Sequence, residues 1–133
     1  VGSEMCIRDR DGSVVVNELA TRPHNTAHWT IDGAETSQFE NHMRAVLNLP
    51  LGSPALTAPV VVMANVLGGS EEDLTGALQH CFARDPELRV ELYGKSVRPG
   101  RKVGHVTCLG NDIETTHRRA RHAAAYLMGE HDA

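Results

Sequence analysis

The chain has 133 residues, 41% hydrophobic and 23% charged, enough for one modest globular domain or a domain with an appendage, and too apolar for a disordered chain. Its longest apolar run, 58–67, is broken by Pro59 and Asn65 and falls short of the roughly 20 residues that a membrane-spanning helix needs. A net charge of −4 with His neutral gives no global electrostatic reason to expect nucleic acid or an anionic membrane as partner, so any anion recognition is local.

Residues 1–10 lack the apolar centre of a signal peptide and show no helical or strand period. They read as an adapter or sequencing scar and are set aside, which makes Asp11 the expected first native residue, opening in mid-gene inside a strand. Cys81 and Cys108 then remain, with 26 residues between them and no C-x-x-C element. Such a pair reads as buried small hydrophobes in a reducing cytosol, with a disulfide as the weaker reading.

Residues 12–20 predict a strand with Val14 and Val16 on one face and Val15 and Asn17 on the other, ending where Pro23 and polar residues take over. Glu18 falls on the Val14/Val16 face near the strand's end, a common place for active-site carboxylates in α/β proteins. Residues 21–33 have no sustained period and predict a loop. Phe39, Met43, Val46 and Leu47 recur at helical spacing and predict a helix over 36–48, with Ser37-x-x-Glu40 as a capping box and Phe39 in the core. Pro50, Gly52, Pro54 and Pro59 mark a connection, so 11–57 and 58–133 are expected to be separate parts.

Residues 60–67 predict an apolar strand covered on both faces. Ser70-x-x-Asp73 is expected to open a second helix with Leu74, Ala77, Leu78, Cys81 and Phe82 on one stripe, closing near Asp85-Pro86. Two strands follow, 88–93 and 102–109, the second alternating Val103, His105 and Thr107 against Gly104, Val106 and Cys108. Asn111-x-x-Glu114 is expected to cap a last helix striped by Ile113, Ala120, Ala124 and Leu127. The order strand, helix, strand, helix, strand, strand, helix describes an α+β chain.

Chemistry concentrates in two places. The first is the segment from Asn17 and Glu18 through Arg22, His24 and Asn25 to His28 and Trp29. A carboxylate beside an amide at a strand end can be plain turn chemistry, or can supply the one or two hard oxygens that Mg2+ on nucleotide phosphates takes from protein. Arg22 and His24 can satisfy loop carbonyls, or can grip a carboxylate, bicarbonate or phosphate and exchange a proton with an amine. His24-x-x-x-His28 has a spacing seen in zinc sites, but neither Cys lies nearby and Glu18 is a thin third ligand. The second place is a turn bearing Lys95, Arg98, Arg101 and Lys102 among glycines and a proline, either a solvated loop or a focus of positive potential. His117 and His122 lie on an Arg-rich helix with Arg118, Arg119 and Arg121 and read as a solvated face.

Both places carry a resemblance to one family. Asn17-Glu18-Leu19-Ala20-Thr21-Arg22-Pro23-His24-Asn25-Thr26-Ala27-His28-Trp29-Thr30 is similar to the closing ATP-grasp motif of the 5-(carboxyamino)imidazole ribonucleotide synthase (PurK-type) family, N-E-hydrophobic-A-P-R-P-H-N-S-G-H-W-T. Thr21 stands for the family's Pro and Thr26-Ala27 for its Ser-Gly. Thr36-Ser37-Gln38-Phe39-Glu40 and His42 follow that family's text, with a packing and capping role. Leu92-Tyr93-Gly94-Lys95 and Arg98-Pro99-Gly100-Arg101-Lys102-Val103-Gly104-His105 resemble its second signature.

The resemblance implies the C-terminal part of an ATP-grasp domain over 11–57, followed by a small β-rich C-terminal subdomain with a terminal helix over 58–133. It implies an ATP-dependent ligase of purine biosynthesis that carboxylates 5-aminoimidazole ribonucleotide with bicarbonate by way of carboxyphosphate. The implied cofactors are ATP and Mg2+. The implied nucleotide and metal residues are Asn17 and Glu18, with a partner carboxylate upstream. Arg22 and His24 are the implied catalytic residues, and Asn25, Lys95, Arg98, Arg101 and Lys102 bind substrate. A cytoplasmic homodimer is expected for the full-length enzyme and no activity for a fragment of this length. A non-catalytic ribotide-binding module and a formate-using ATP-grasp transformylase are the alternatives.

Overall fold

A computed structural model of the chain describes residues 3–8, 12–70 and 72–130, without the side chains of 3–8, Val14 and Asn17. It forms two compact units, 1–55 and 56–133.

The first unit begins with β1 (Ser3–Arg8), which pairs antiparallel with β2 (Val14–Ala20), Ser3 opposite Ala20 and Arg8 opposite Val14, with a bulge between Met5 and Cys6. The absence of a strand period in residues 1–10 therefore does not describe the backbone of 3–8: β1 is made by ladder bonds to a β-branched neighbour, not by a pattern of its own. The expected loop over 21–33 holds two short turns of helix, a 3-10 turn at Asn25–Ala27 and α1 (Thr30–Gly33). Neither is long enough to leave a period of 3.6 in the sequence.

The second helix, α2 (Gln38–Val46), starts where the pattern places it, with the Ser37 hydroxyl accepting from Glu40 N at 3.2 Å. Glu40 takes Arg44 as its side-chain partner through Nε at 3.0 Å, an i,i+4 pair. Asn48 adopts a left-handed φ of 54° just past the helix, and Leu49 N reaches back to Arg44 O at 2.8 Å. Phe39, expected in the core, is 40% exposed and lies 5.3 Å from the His28 ring.

The second unit is a three-stranded antiparallel sheet ordered β3 (Val60–Leu67), β5 (Lys102–Gly110), β4 (Arg89–Leu92). The helices α3 (Leu74–Arg84) and α4 (Ile113–Leu127) complete it. The strand covered on both faces is β5, buried from Val103 to Cys108, whereas in β3 only Val66 is fully buried. Position decides this over composition: β5 is central and β3 an edge strand. The core joins Val66, Val103, Val106 and Cys108 of the sheet to Ala77 and Cys81 of α3 and to Ala120, Ala123, Ala124 and Leu127 of α4. Burying Leu127 completely is worth roughly 1.5–3 kcal/mol.

Both helix starts shift from the expected capping boxes. Asp73, not Ser70, caps α3 by accepting from Thr75 N and Gly76 N. Asp112, not Asn111, caps α4 by accepting from Thr115 N. Aspartate carries a full charge to the positive helix end, which the hydroxyl and amide alternatives lack. Ile113 is 59% exposed and Phe82 42% exposed, so both leave their expected stripes.

Candidate functional site

The loop after β2 is shaped by one side chain. Gln38, at the start of α2, accepts from His24 N through Oε1 and donates to His24 O through Nε2, each at 2.8 Å. Its Nε2 also approaches His28 Nδ1 at 2.8 Å, and its own N–H reaches Thr30 Oγ1 at 2.9 Å. A primary amide offers a donor and an acceptor side by side and so pairs with a backbone N–H and C=O as a strand would. The sequence places Gln38 inside a helix-start motif, and its role as the clamp of the loop is not visible there. The signal available in the sequence is an amide standing in that motif between the capping Ser37 and Phe39.

With its backbone held, the His24 ring is fixed at both nitrogens: Nε2 contacts Glu18 Oε1, and Nδ1 lies 2.7 Å from Thr26 Oγ1. The side chain of His24 is 15% exposed and that of Glu18 49% exposed. The structure therefore joins Glu18 and His24 directly. Arg22 is exposed and donates to Pro23 O at 3.1 Å, with no carboxylate partner among the described residues. Asn25 opens the 3-10 turn and gives its carbonyl to His28 N at 3.1 Å. The Asn17 side chain lies outside those described. A hard, half-exposed carboxylate, one oxygen of which contacts His24, suits a divalent cation that keeps several waters. Among the described residues no three His, Cys, Asp or Glu side chains gather as a metal cluster. His28 is engaged with Gln38 and Phe39, apart from the Glu18–His24 pair.

In the second unit the basic turn runs from the end of β4 to β5. Lys95, Arg98, Arg101 and Lys102 are all exposed, and none forms an ion pair among the described residues. Lys95 Nζ stands 5.2 Å over the Tyr93 ring, and Arg101 Nη1 donates to Ser96 Oγ at 3.0 Å. Tyr93 Oη lies 2.7 Å from Nδ1 of the buried His105, which ties the turn's first strand to the centre of the sheet. Burial of the Tyr93 hydroxyl, with Glu91 nearby, raises its pKa.

The far side of the turn is set by a residue that sequence reasoning passed over. Gly68 N donates to Arg101 O at 2.7 Å, and Gly68 O accepts from Gly100 N at 3.0 Å. A parallel bridge joins Gly68 to Pro99. A Cβ on Gly68 would sit 2.0 Å from Arg98 O, so only glycine allows this approach. Gly100 itself has φ of 72°. The Gly68-Gly69 pair ending an apolar strand was the available signal.

Away from both places, Arg119 leaves the solvated face expected of it. Its Nε and Nη2 each donate to Asp85 at 2.8 Å, and its Nη1 donates to Leu109 O at 3.0 Å. The sequence hid this because Asp85 lies 34 residues away. These hydrogen bonds hold the Asp85 carboxyl below the usual carboxylate range. Burial and the neighbouring Asp85 push the Cys108 thiol up to about 11, and burial raises Cys81; both cysteines are free.

Both places lie in segments that match known protein families. Residues 1–39 match the ATP-grasp domain family and residues 61–119 the phosphoribosylaminoimidazole carboxylase C-terminal domain family. The Glu18-to-His28 loop and Gln38 lie within the first match, and the turn from Lys95 to Lys102 lies within the second. N5-carboxyaminoimidazole ribonucleotide synthase of Mycobacterium tuberculosis (strain H37Rv) is 57% identical over 120 residues, which cover 88% of this chain and 28% of that protein. The crystal structure of the Aquifex aeolicus phosphoribosylaminoimidazole carboxylase ATPase subunit aligns with a TM-score of 0.77 at 40% identity, over 92% of this chain and 36% of that one. N5-carboxyaminoimidazole synthase of Aspergillus clavatus, solved with ADP and 5-aminoimidazole ribonucleotide, aligns with a TM-score of 0.77 at 30% identity over 92% of this chain and 33% of that one. The chain belongs to the N5-carboxyaminoimidazole ribonucleotide synthase family, and it spans 28% of the length of the mycobacterial relative.

Proposed function

We propose that this chain supplies the closing ATP-grasp loop and the ribotide-phosphate turn of an enzyme that carboxylates 5-aminoimidazole ribonucleotide with bicarbonate at the expense of ATP. The observation that carries the reading is the pairing of Glu18 with His24 in a loop clamped by Gln38, within a chain 57% identical to a named synthase.

Glu18, with Asn17 beside it in sequence, is the residue that would hold Mg2+, which when bound neutralises and orients the ATP phosphates. Arg22 presents a planar cation to the carboxyphosphate made from bicarbonate. As the exocyclic amine of the ribotide attacks that carbonyl, a C–N bond forms, phosphate leaves and the amine loses a proton. With Nε2–H held on Glu18, His24 would receive that proton at Nδ1, where Thr26 Oγ1 can then accept from it. Asn25 adds an amide next to it. Lys95 and Arg101, with Arg98 and Lys102 around them, bind the 5′-phosphate, so catalysis rests on positioning and charge. In the whole enzyme the protein works as a cytoplasmic homodimer.

The test is release of phosphate from ATP that depends on both bicarbonate and aminoimidazole ribonucleotide. The chain by itself gives none. Spliced in place of the matching segment of the mycobacterial relative, it supports turnover, and Glu18→Gln in that chimaera abolishes it with the fold intact by circular dichroism. A folded chimaera without turnover, or one indifferent to Glu18→Gln, overturns the reading.

A further inference from the structure

The α3–α4 side of the second unit holds a pocket of about 550 Å³ that the proposed reaction does not use. Its lining includes Cys81 and Ala123, both buried and apolar, and His122. Its walls are cationic. Arg84 comes from the last turn of α3, and Arg118 and Arg121 come from successive turns of one face of α4.

The charge at this pocket runs against the chain's overall balance of −4. Asp85 is the carboxylate in its lining, and both its oxygens are taken by Arg119. Arg118 feels Asp112 at the start of its own helix. Neither Arg84 nor Arg121 has a carboxylate partner among the described residues. Like charges three residues apart on a helix repel, and a third from α3 adds to that. A concave wall concentrates their field instead of dispersing it into solvent. Guanidinium groups around apolar residues fit an anion with a carbon body behind it, and the volume exceeds what a bare inorganic anion fills.

We propose that this pocket is a second anion site, which takes the phosphate or diphosphate group of a small phosphorylated metabolite on Arg84, Arg118 and Arg121, with the metabolite's ring or carbon body on Cys81 and Ala123. It is built from elements other than the turn bearing Lys95 and Arg101, and it stands whether or not that turn binds a ribotide. A ligand held here bridges the end of α3 to the middle of α4, adding to the Asp85–Arg119 pair and the Cys81–Ala123 contact that already link them.

The experiment titrates the full chain with pyrophosphate and with ADP, following backbone amide shifts by NMR and heat by calorimetry. Three proteins are compared: the natural chain, the Arg84→Gln/Arg121→Gln variant, and the Lys95→Gln/Arg101→Gln variant. The expected result is shifts at Arg84, Arg121 and Ala123 that persist in the turn variant. In the pocket variant the affinity falls at least tenfold while the rest of the spectrum is unchanged. ADP binding tighter than pyrophosphate supports a body on the apolar residues. Binding lost only in the turn variant, or no shifts around the pocket at millimolar pyrophosphate, overturns the proposal. An acidic peptide such as hexaglutamate that outcompetes both anions also overturns it, because the pocket would then be a protein-docking surface.

Discussion

Gly68→Ala tests how the basic turn is held. A methyl at that position would start 2.0 Å from Arg98 O, 2.7 Å from Arg98 C and 2.8 Å from Arg98 N. An ordinary carbon–oxygen contact is about 3.3–3.6 Å, so the turn must retreat by about 1.3–1.6 Å or peel away. Either response breaks the bonds from Gly68 N to Arg101 O and from Gly100 N to Gly68 O. At about 0.5–1.5 kcal/mol net for each, the loss is about 1–3 kcal/mol. Gly94→Ala is the matched control: the added Cβ meets nothing within 4 Å, and only the φ of 63° resists it, a cost of about 1–2 kcal/mol. Urea denaturation gives the stability of both variants, and hydrogen exchange at Gly68 and Gly100 tells them apart. Gly68→Ala should deprotect both amides and weaken the phosphate binding proposed for Lys95 and Arg101, while Gly94→Ala should leave the Gly68 and Gly100 amides protected. A Gly68→Ala protein within about 0.5 kcal/mol of the parent, with Gly100 N–H still protected, refutes the argument.

Gln38→Ala should remove the paired bonds to His24 and the contact to His28, costing about 2–4 kcal/mol in the first unit; thermal denaturation and the His24 ring signals in NMR report it. Asp85→Ala should cost about 2–3 kcal/mol, since it strands a partly buried Arg119. Because Asp85 titrates below its ordinary value in the fold, its contribution is complete above the unfolded pKa of about 3.9 and is lost as pH falls through the depressed folded value; Asp85→Asn should flatten the acid limb of the stability–pH curve, and an unchanged limb would contradict the pairing. With its thiol pushed up to about 11, Cys108 should react with a disulfide reagent at pH 8 only as the protein unfolds; rapid labelling of the native chain would show it is not buried.

Where the sequence was legible, local periodicity carried the information. The strand at Val14–Ala20, the helix from Gln38 and the strand at Lys102–Gly110 follow from alternation, helical spacing and a serine cap. The failures share a different cause. Which of two apolar strands is central depends on strand order, so β3 reads as more buried than it is. Gln38, Gly68 and Asp85 act on residues 14, 32 and 34 positions away at His24, Gly100 and Arg119, and no pattern within a helix or a strand records such distances. Glu18, His24 and the four basic turn residues were visible because they lie within two short stretches of chain.

The β1–β2 ribbon carries a practical consequence. Val15, Val16 and Leu19 are 55%, 62% and 68% exposed and lie on both faces of a sheet only two strands wide, a form with little standing in water by itself. Wet valines and a leucine beside unpaired ladder groups make a template for another extended chain. Concentrating this polypeptide should drive it toward clumping from that ribbon first, and a lysine replacing Val16 is the simplest way to keep it in solution.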